Sequence, residues 1–319
     1  MPPGEVLAGI FSVTFAAGVL RVTTPILLPA LGGLLSDLAG VINIALEGTM
    51  LLAAFTGVAV SAYTHSAWLG LLAALAAAAL FSLILAFVHL DLRADLILAG
   101  IAMNFLAGGG TVFVMYSLTG DKGTSSELAS LTMPYVHIPI LKSIPVLGPI
   151  LSGQNLLVYV AFVMVLLVWW FLFRTVRGTH LRAVGANPDA AATAGIDVRK
   201  TRYTALVLSG LLAGLGGVHM SMGYLQLFQR DMTAGRGFIA LAAVFLGARH
   251  PVGTMLAALL FGTADALANQ LGTLRIPPQY VQVIPYVVTV AALAVHAAAQ
   301  RRAAARRQHR LRVRPAAAE

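Results

Sequence analysis

The chain has no cysteine in its 319 residues. Disulfides, thiolate metal sites and thiol nucleophiles are therefore excluded. Charge is almost as scarce: Asp, Glu, Lys and Arg make up 10% of the chain, against about 25% in ordinary globular domains. Hydrophobic residues supply 59%. Such a surface cannot be solvated as a soluble domain, so two soluble domains, the reading from length alone, fail and the chain is an integral membrane protein. Several motifs are missing too. GxxxxGK[ST], HExxH and GxSxG do not occur, and the eight histidines (65, 89, 137, 180, 219, 250, 296, 309) lack ligand spacing. The expectation is a protein that is not an enzyme and needs neither metal nor cofactor. The N-terminus lacks the basic segment and small-residue cleavage site of a signal peptide.

The charge that is present is concentrated. Net charge is +9, and thirteen of the 21 Lys and Arg residues lie in two places. Six are in the island 174–202 (Arg174, Arg177, Arg182, Arg199, Lys200, Arg202) and seven are in the tail 300–319. Both read as cytoplasmic anchors facing an anionic leaflet rather than as a nucleic-acid surface. Hydrophobic spans are expected near 5–35 (broken around Arg21–Pro25), 40–61, 67–89, 96–119, 155–173, 203–226, 232–249, 252–271 and 281–299. The fold class is then an all-α polytopic transmembrane bundle of about nine spans with broken or re-entrant helices. Residues 1–299 form the membrane domain, with the N-terminus outside and the basic tail in the cytoplasm. An outward loop at 120–154 carries four prolines and reads either as a lid or docking platform or as a plain connection. Gly108–Gly110 and the set Gly210, Gly214, Gly216 and Gly217 read as sites of close helix packing.

Inside the island, Asn187-Pro188-Asp189-Ala190-Ala191-Ala192-Thr193-Ala194-Gly195 predicts a short helix. Asn187 caps it, Pro188 suits its first position, and Gly195 ends it. A small-residue helix held just beyond a membrane domain has the shape of an element that docks in a partner's groove. Polar residues within the spans are few. Gly40-Val41-Ile42-Asn43-Ile44-Ala45-Leu46-Glu47-Gly48 places Asn43 and Glu47 four apart, on one face of a helix if the segment is helical. Two readings fit it: the polar wall of a broken-helix pathway, or an internal Asn–Glu lock. Asn104 and Asp265 stand alone in their spans. Gly235-Arg236-Gly237-Phe238-Ile239-Ala240 matches GxGxxA by spacing, but no βαβ unit surrounds it, so the dinucleotide reading is rejected. It reads instead as a helix break with Phe238 as a gate or stacking surface.

With those residues in place, the chain resembles the permease subunits of bacterial ABC importers. The similar branch serves nucleosides and simple sugars, in a family that also includes branched-chain amino-acid permeases. Three segments carry the resemblance: Gly33–Gly48, Gly178–Pro188 with Ala190, Ala191, Gly195 and Ile196, and Gly235–Ala242. In the first, Asp37 stands where the family pattern usually has Glu, and Leu38 where a basic residue is usual. The resemblance implies a type II importer fold in the cytoplasmic membrane, an ATP-binding cassette subunit, a second permease of different sequence and an external substrate-binding lipoprotein. It implies that Gly185, Asn187, Pro188, Ala190, Ala191 and Gly195 couple to the ATPase. It leaves Asn43, Glu47, Asn104 and Phe238 as pathway residues for a nucleoside or sugar. The rival reading is a stand-alone proton-coupled transporter using Glu47 or Asp265.

Overall fold

A computed structural model describes residues 12–137 and 147–271, with single positions between 287 and 294. Most of the expected span 281–299, the basic tail and residues 1–11 lie outside the described residues. Among the described residues the regular elements are helices, apart from one two-residue antiparallel strand pair. Helix α1 is Val13–Leu38, α2 Leu46–Thr64, α3 Ala67–Leu90 and α4 Leu96–Thr119. A loop holding β1 (Tyr135–Val136), α5 (Leu147–Leu151) and β2 (Gln154–Asn155) leads to α6, Leu156–Arg174. The island contains α7 (Val176–Ala186) and α8 (Pro188–Thr193). Helix α9 (Val198–Val218) runs on into a π-helical segment, His219–Tyr224. Helices α10 (Arg236–Leu246) and α11 (Pro251–Leu271) follow.

Seven helices among the described residues are long and apolar enough to cross a bilayer. The expected span 232–249 is not one of them. Its helix has 11 residues, about 16 Å at 1.5 Å per residue, roughly half of a 30 Å hydrocarbon layer. The residues before it, 225–235, turn back into the bundle instead of continuing a helix, and Met232 and Thr233 are buried. The break expected near Arg21–Pro25 is also absent: α1 runs unbroken through Pro25 and Pro29. Pro25 has no N–H for the Arg21 carbonyl. That carbonyl is met instead by His219 Nε2 at 3.1 Å, so the helix continues without an orphaned acceptor.

Helix α1 sits at the centre, packed by α9, α11, α10 and α6. The outer faces of α3, α4 and α6 carry Leu72, Leu80, Phe105, Phe113, Leu166 and Trp170, all exposed. Large apolar side chains on the outside suit acyl chains and would not suit water. The small residues of α9 earn their place by close approach. A Cβ on Gly210 would fall 1.8 Å from Ser82 Oγ, and one on Gly217 would fall 2.0 Å from the Met50 carbonyl oxygen. Gly108–Gly110 differ: a Cβ at any of the three meets nothing within 4 Å, so the close packing expected there is not found within the described chain. Gly217→Val is expected to lower the melting temperature of the detergent-purified protein, with overpacking costing about 1–3 kcal/mol. An unchanged melting temperature would mean that α2 and α9 are not in backbone contact there.

The two ends of the bundle are built differently. At one end of the bundle the 120–137 segment pairs with the π-helical segment and with the turn after it. Ser125 N–H donates to the Phe228 carbonyl at 2.9 Å, Arg230 N–H to the Gly123 carbonyl at 2.9 Å, and Met133 N–H to the Met222 carbonyl at 2.9 Å. At the other end lies the charged island.

Candidate functional site

Two constellations stand out, and the first is the gap between α1 and α2. Gly40 ends α1 with φ +75°, a left-handed turn that glycine adopts freely. Residues 41–43 are not helical, so Asn43 shares no helical face with Glu47. Asn43 is fully buried. Its carboxamide donates to Ser209 Oγ at 3.0 Å and accepts from its own Ala45 N–H at 3.0 Å, while its backbone N–H donates to Ser36 Oγ at 3.2 Å. Asn104, on α4, serves the same gap from the other side. It accepts from Gly48 N–H at 2.8 Å and donates to the Ile44 carbonyl at 2.9 Å. A break within a membrane bundle frees backbone groups that water cannot reach, and these two asparagines answer them.

Glu47, at the start of α2, does this for the half-length helix. Its two carboxylate oxygens accept from Gly235 N–H and Gly237 N–H, each at 2.7 Å. A carboxylate on the first amides of a helix is favoured both by charge-assisted hydrogen bonds and by the helix dipole. Gly235, with φ +79°, turns the chain into α10, and a Cβ on Gly237 would fall 2.5 Å from the Glu47 nitrogen. One turn on, Phe238 is 49% exposed, unlike the buried Asn43. Arg236 pairs with Asp265 of α11 at 2.9 Å, both largely buried, so Asp265 is not isolated. Asn43, Glu47 and Asn104 thus converge on one broken segment, and Phe238 stands apart from them. Ser36 and Ser209, which complete the network, carry no distinguishing signal in sequence.

The second constellation is the island. Thr175 caps α7 through Gly178 N–H at 3.1 Å. Asn187 Oδ1 accepts from Asp189 N–H and Ala190 N–H, each at 3.1 Å, with Pro188 at the first helical position. Gly195 closes the turn with φ +80° and has open space around it. Ala191 is 4% exposed and points into the island, whereas Ala190, Ala192 and Thr193 point out. Gly185 is pressed against α1: a Cβ there would fall 2.0 Å from the Leu38 carbonyl oxygen. Of the six residues expected to meet a partner, Gly185 and Ala191 therefore serve the chain's own packing, and Asn187 and Pro188 build the helix. Ala190 and Gly195 are left presented.

The island is tied to the bundle in two places. Besides Gly185 against Leu38, Asp91 at the end of α3 accepts from Tyr203 and pairs with Arg199. The Tyr203 hydroxyl holds the Asp91 carboxyl below its ordinary value, with Arg199 adding to the effect against partial desolvation. Nearby, Arg249, just before α11, sits 2.8 Å from Asp37. The residue substituted in the first motif thus has a partner. Between the end of α6, α7 and the start of α9 lies a cleft of ≈ 350 Å³ lined by Arg177, His180 and Lys200. A small helix presented on a braced platform can transmit force.

Comparison with known proteins places this arrangement. The family model described as "Branched-chain amino acid transport system / permease component" matches residues 15–293. The guanosine ABC transporter permease protein NupQ of Bacillus subtilis is 40% identical over 283 residues, covering 84% of this chain and 87% of its own. A putative glucose ABC transporter permease protein, TsgC13 of Haloferax volcanii, is 33% identical, covering 88% of this chain and 92% of its own. A solved structure described as an inward-facing conformation of a putative metal-chelate type ABC transporter superposes with a TM-score of 0.54 at 16% identity. It covers 90% of this chain and 86% of that one, a likeness of fold. The chain therefore belongs to this permease-component family: it is a multi-pass membrane permease of an ABC transporter, in which a separate subunit hydrolyses ATP.

Proposed function

We propose that the chain forms part of the translocation path of an ATP-driven importer for nucleosides in the bacterial cytoplasmic membrane. The observation that carries the substrate class is the 40% identity to a guanosine permease across nearly the whole fold. The glucose permease, at 33%, supports a sugar less well. In this reading the island is cytoplasmic, the N-terminus and the 120–154 loop face outward, and the basic tail is inside. The ATP-binding subunit receives the Asn187–Gly195 helix. A second permease of different sequence completes the membrane unit, and an external lipoprotein delivers the solute to the loop end. Cassette closure displaces α8, and the ties at Leu38 and Asp91 pass that displacement to α1, α3 and α9, which rock between outward and inward openings.

The proton-coupled alternative needs a carboxyl free to gain and lose a proton along the path. Glu47 is committed to two amides and Asp265 to an arginine, so neither suits that task. In cells expressing the whole importer, uptake of labelled guanosine is expected to survive an uncoupler while ATP is maintained, and to stop on ATP depletion. The opposite pattern would assign the chain to ion-coupled transport. Efficient uptake of leucine or ribose without guanosine would overturn the substrate class.

A further inference from the structure

Arg21 is the residue that the fold explains least. It lies inside a membrane-spanning helix, and among the described residues no carboxylate pairs with it. An unpaired cation is retained in a span where it meets a water-filled path or a ligand. Its neighbour Arg236 is neutralised by Asp265 at 2.9 Å, so the exception is specific to Arg21. Around it are two adjoining clefts of ≈ 270 Å³ and ≈ 120 Å³, which share Arg21, Val22, Tyr224 and Asn269. Together they make one furrow between the start of α1, the π-helical segment and the end of α11. His219 Nε2 bonds the Arg21 carbonyl, fixing the backbone from which the guanidinium extends. Tyr224 is 46% exposed, leaving its ring accessible, and Asn269 is exposed. The apolar walls are Val22, Pro25 and Met232.

These groups describe a ligand. A guanidinium offers two parallel N–H donors to adjacent acceptors, as O6 and N7 of guanine present them. A carboxamide offers the donor and acceptor that match N7 and N6 of adenine. Both matches use N7, which pyrimidines lack. A flat ring between an exposed tyrosine and apolar walls is held by stacking, which a sugar alone cannot use. The furrow lies at the loop end, the side from which an importer receives its solute. We infer that it is a binding site for the base of a purine nucleoside, with Arg21 and Asn269 reading the N7 edge and Tyr224 stacking on the ring. This assignment rests on the nucleoside reading above.

The test uses the complete importer in proteoliposomes with ATP inside and its binding protein saturated by ligand outside. Wild type is expected to transport guanosine roughly tenfold faster than 7-deazaguanosine, the size of one lost hydrogen-bond pair. Arg21→Gln is expected to slow guanosine more than 7-deazaguanosine, taking their rate ratio from about ten to near one, because the N7 contact is lost only where N7 is present. Asn269→Ala should do the same for adenosine against 7-deazaadenosine, and its exposed side chain makes that variant independent of any folding role of Arg21. A structural defect would slow both members of each pair alike. Equal slowing, or wild-type rates throughout, overturns the furrow assignment while guanosine transport by wild type keeps the nucleoside reading. No nucleoside transport by wild type overturns both.

Discussion

Glu47→Ala is expected to be among the most damaging single substitutions in the protein. It leaves the Gly235 and Gly237 amides, both at 2.7 Å from the carboxylate, without acceptors inside the bundle. Hydrogen bonds to a charged group are worth roughly 1.5–3 kcal/mol each, so the expected loss is about 3–6 kcal/mol. The purified protein should melt well below wild type, and guanosine uptake should fall to background. Glu47→Gln separates the two readings of this residue. One carboxamide oxygen can accept one amide while its NH₂ faces the other N–H, so stability and uptake should both fall, by less than in the alanine variant. A proton carrier would behave otherwise, with Gln abolishing transport at wild-type stability. That second pattern would remove Glu47 from the cap of α10 and return it to the path.

Ala190→Trp carries the other large effect, for a different reason. Ala190 is on the outward side of α8, so an indole there disturbs nothing in the chain's own packing. Placed in a close-fitting groove of the ATP-binding subunit, it should reduce uptake roughly a hundredfold, about 3 kcal/mol of lost docking, with membrane insertion and melting temperature unchanged. The same substitution at Ala191 or Gly185 is a poor test. Ala191 is buried within the island, and Gly185 has the Leu38 carbonyl where its Cβ would go. Both variants would fail through folding. Wild-type uptake by Ala190→Trp would mean that this face of α8 meets no partner.

The caps were readable because their chemistry is local. Asn187-Pro188 opens a helix and Gly195 closes it by rules that involve only neighbouring residues. The long apolar runs at 67–89, 96–119 and 155–173 became α3, α4 and α6 within a residue of their expected limits, since bilayer thickness fixes their length. What failed depends on distant partners. Pro25 looked like a break because its missing N–H is visible in sequence, but His219, nearly two hundred residues away, is what relieves it. The run 232–249 is apolar enough to cross. It is cut short because Glu47 provides a buried acceptor at which a helix can begin inside the bundle. Asn43 and Glu47 are four apart, yet Gly40 and the Asn43–Ala45 turn take Asn43 off the helix. Arg21, Tyr224 and Asn269 lie on three separate elements, and only the packing of α1, the π-helical segment and α11 brings them together.

The chain's own lack of cysteine makes one measurement decisive. Ala190→Cys and, as a reporter for the opposite end, Ser126→Cys each introduce a single thiol at an exposed position. A membrane-impermeant maleimide applied to intact cells should label Ser126→Cys and spare Ala190→Cys. After permeabilisation, Ala190→Cys should label fully when the permease is expressed alone and be protected when the ATP-binding subunit is present. Labelling of Ala190→Cys in intact cells would place the island outside and contradict the account at its root.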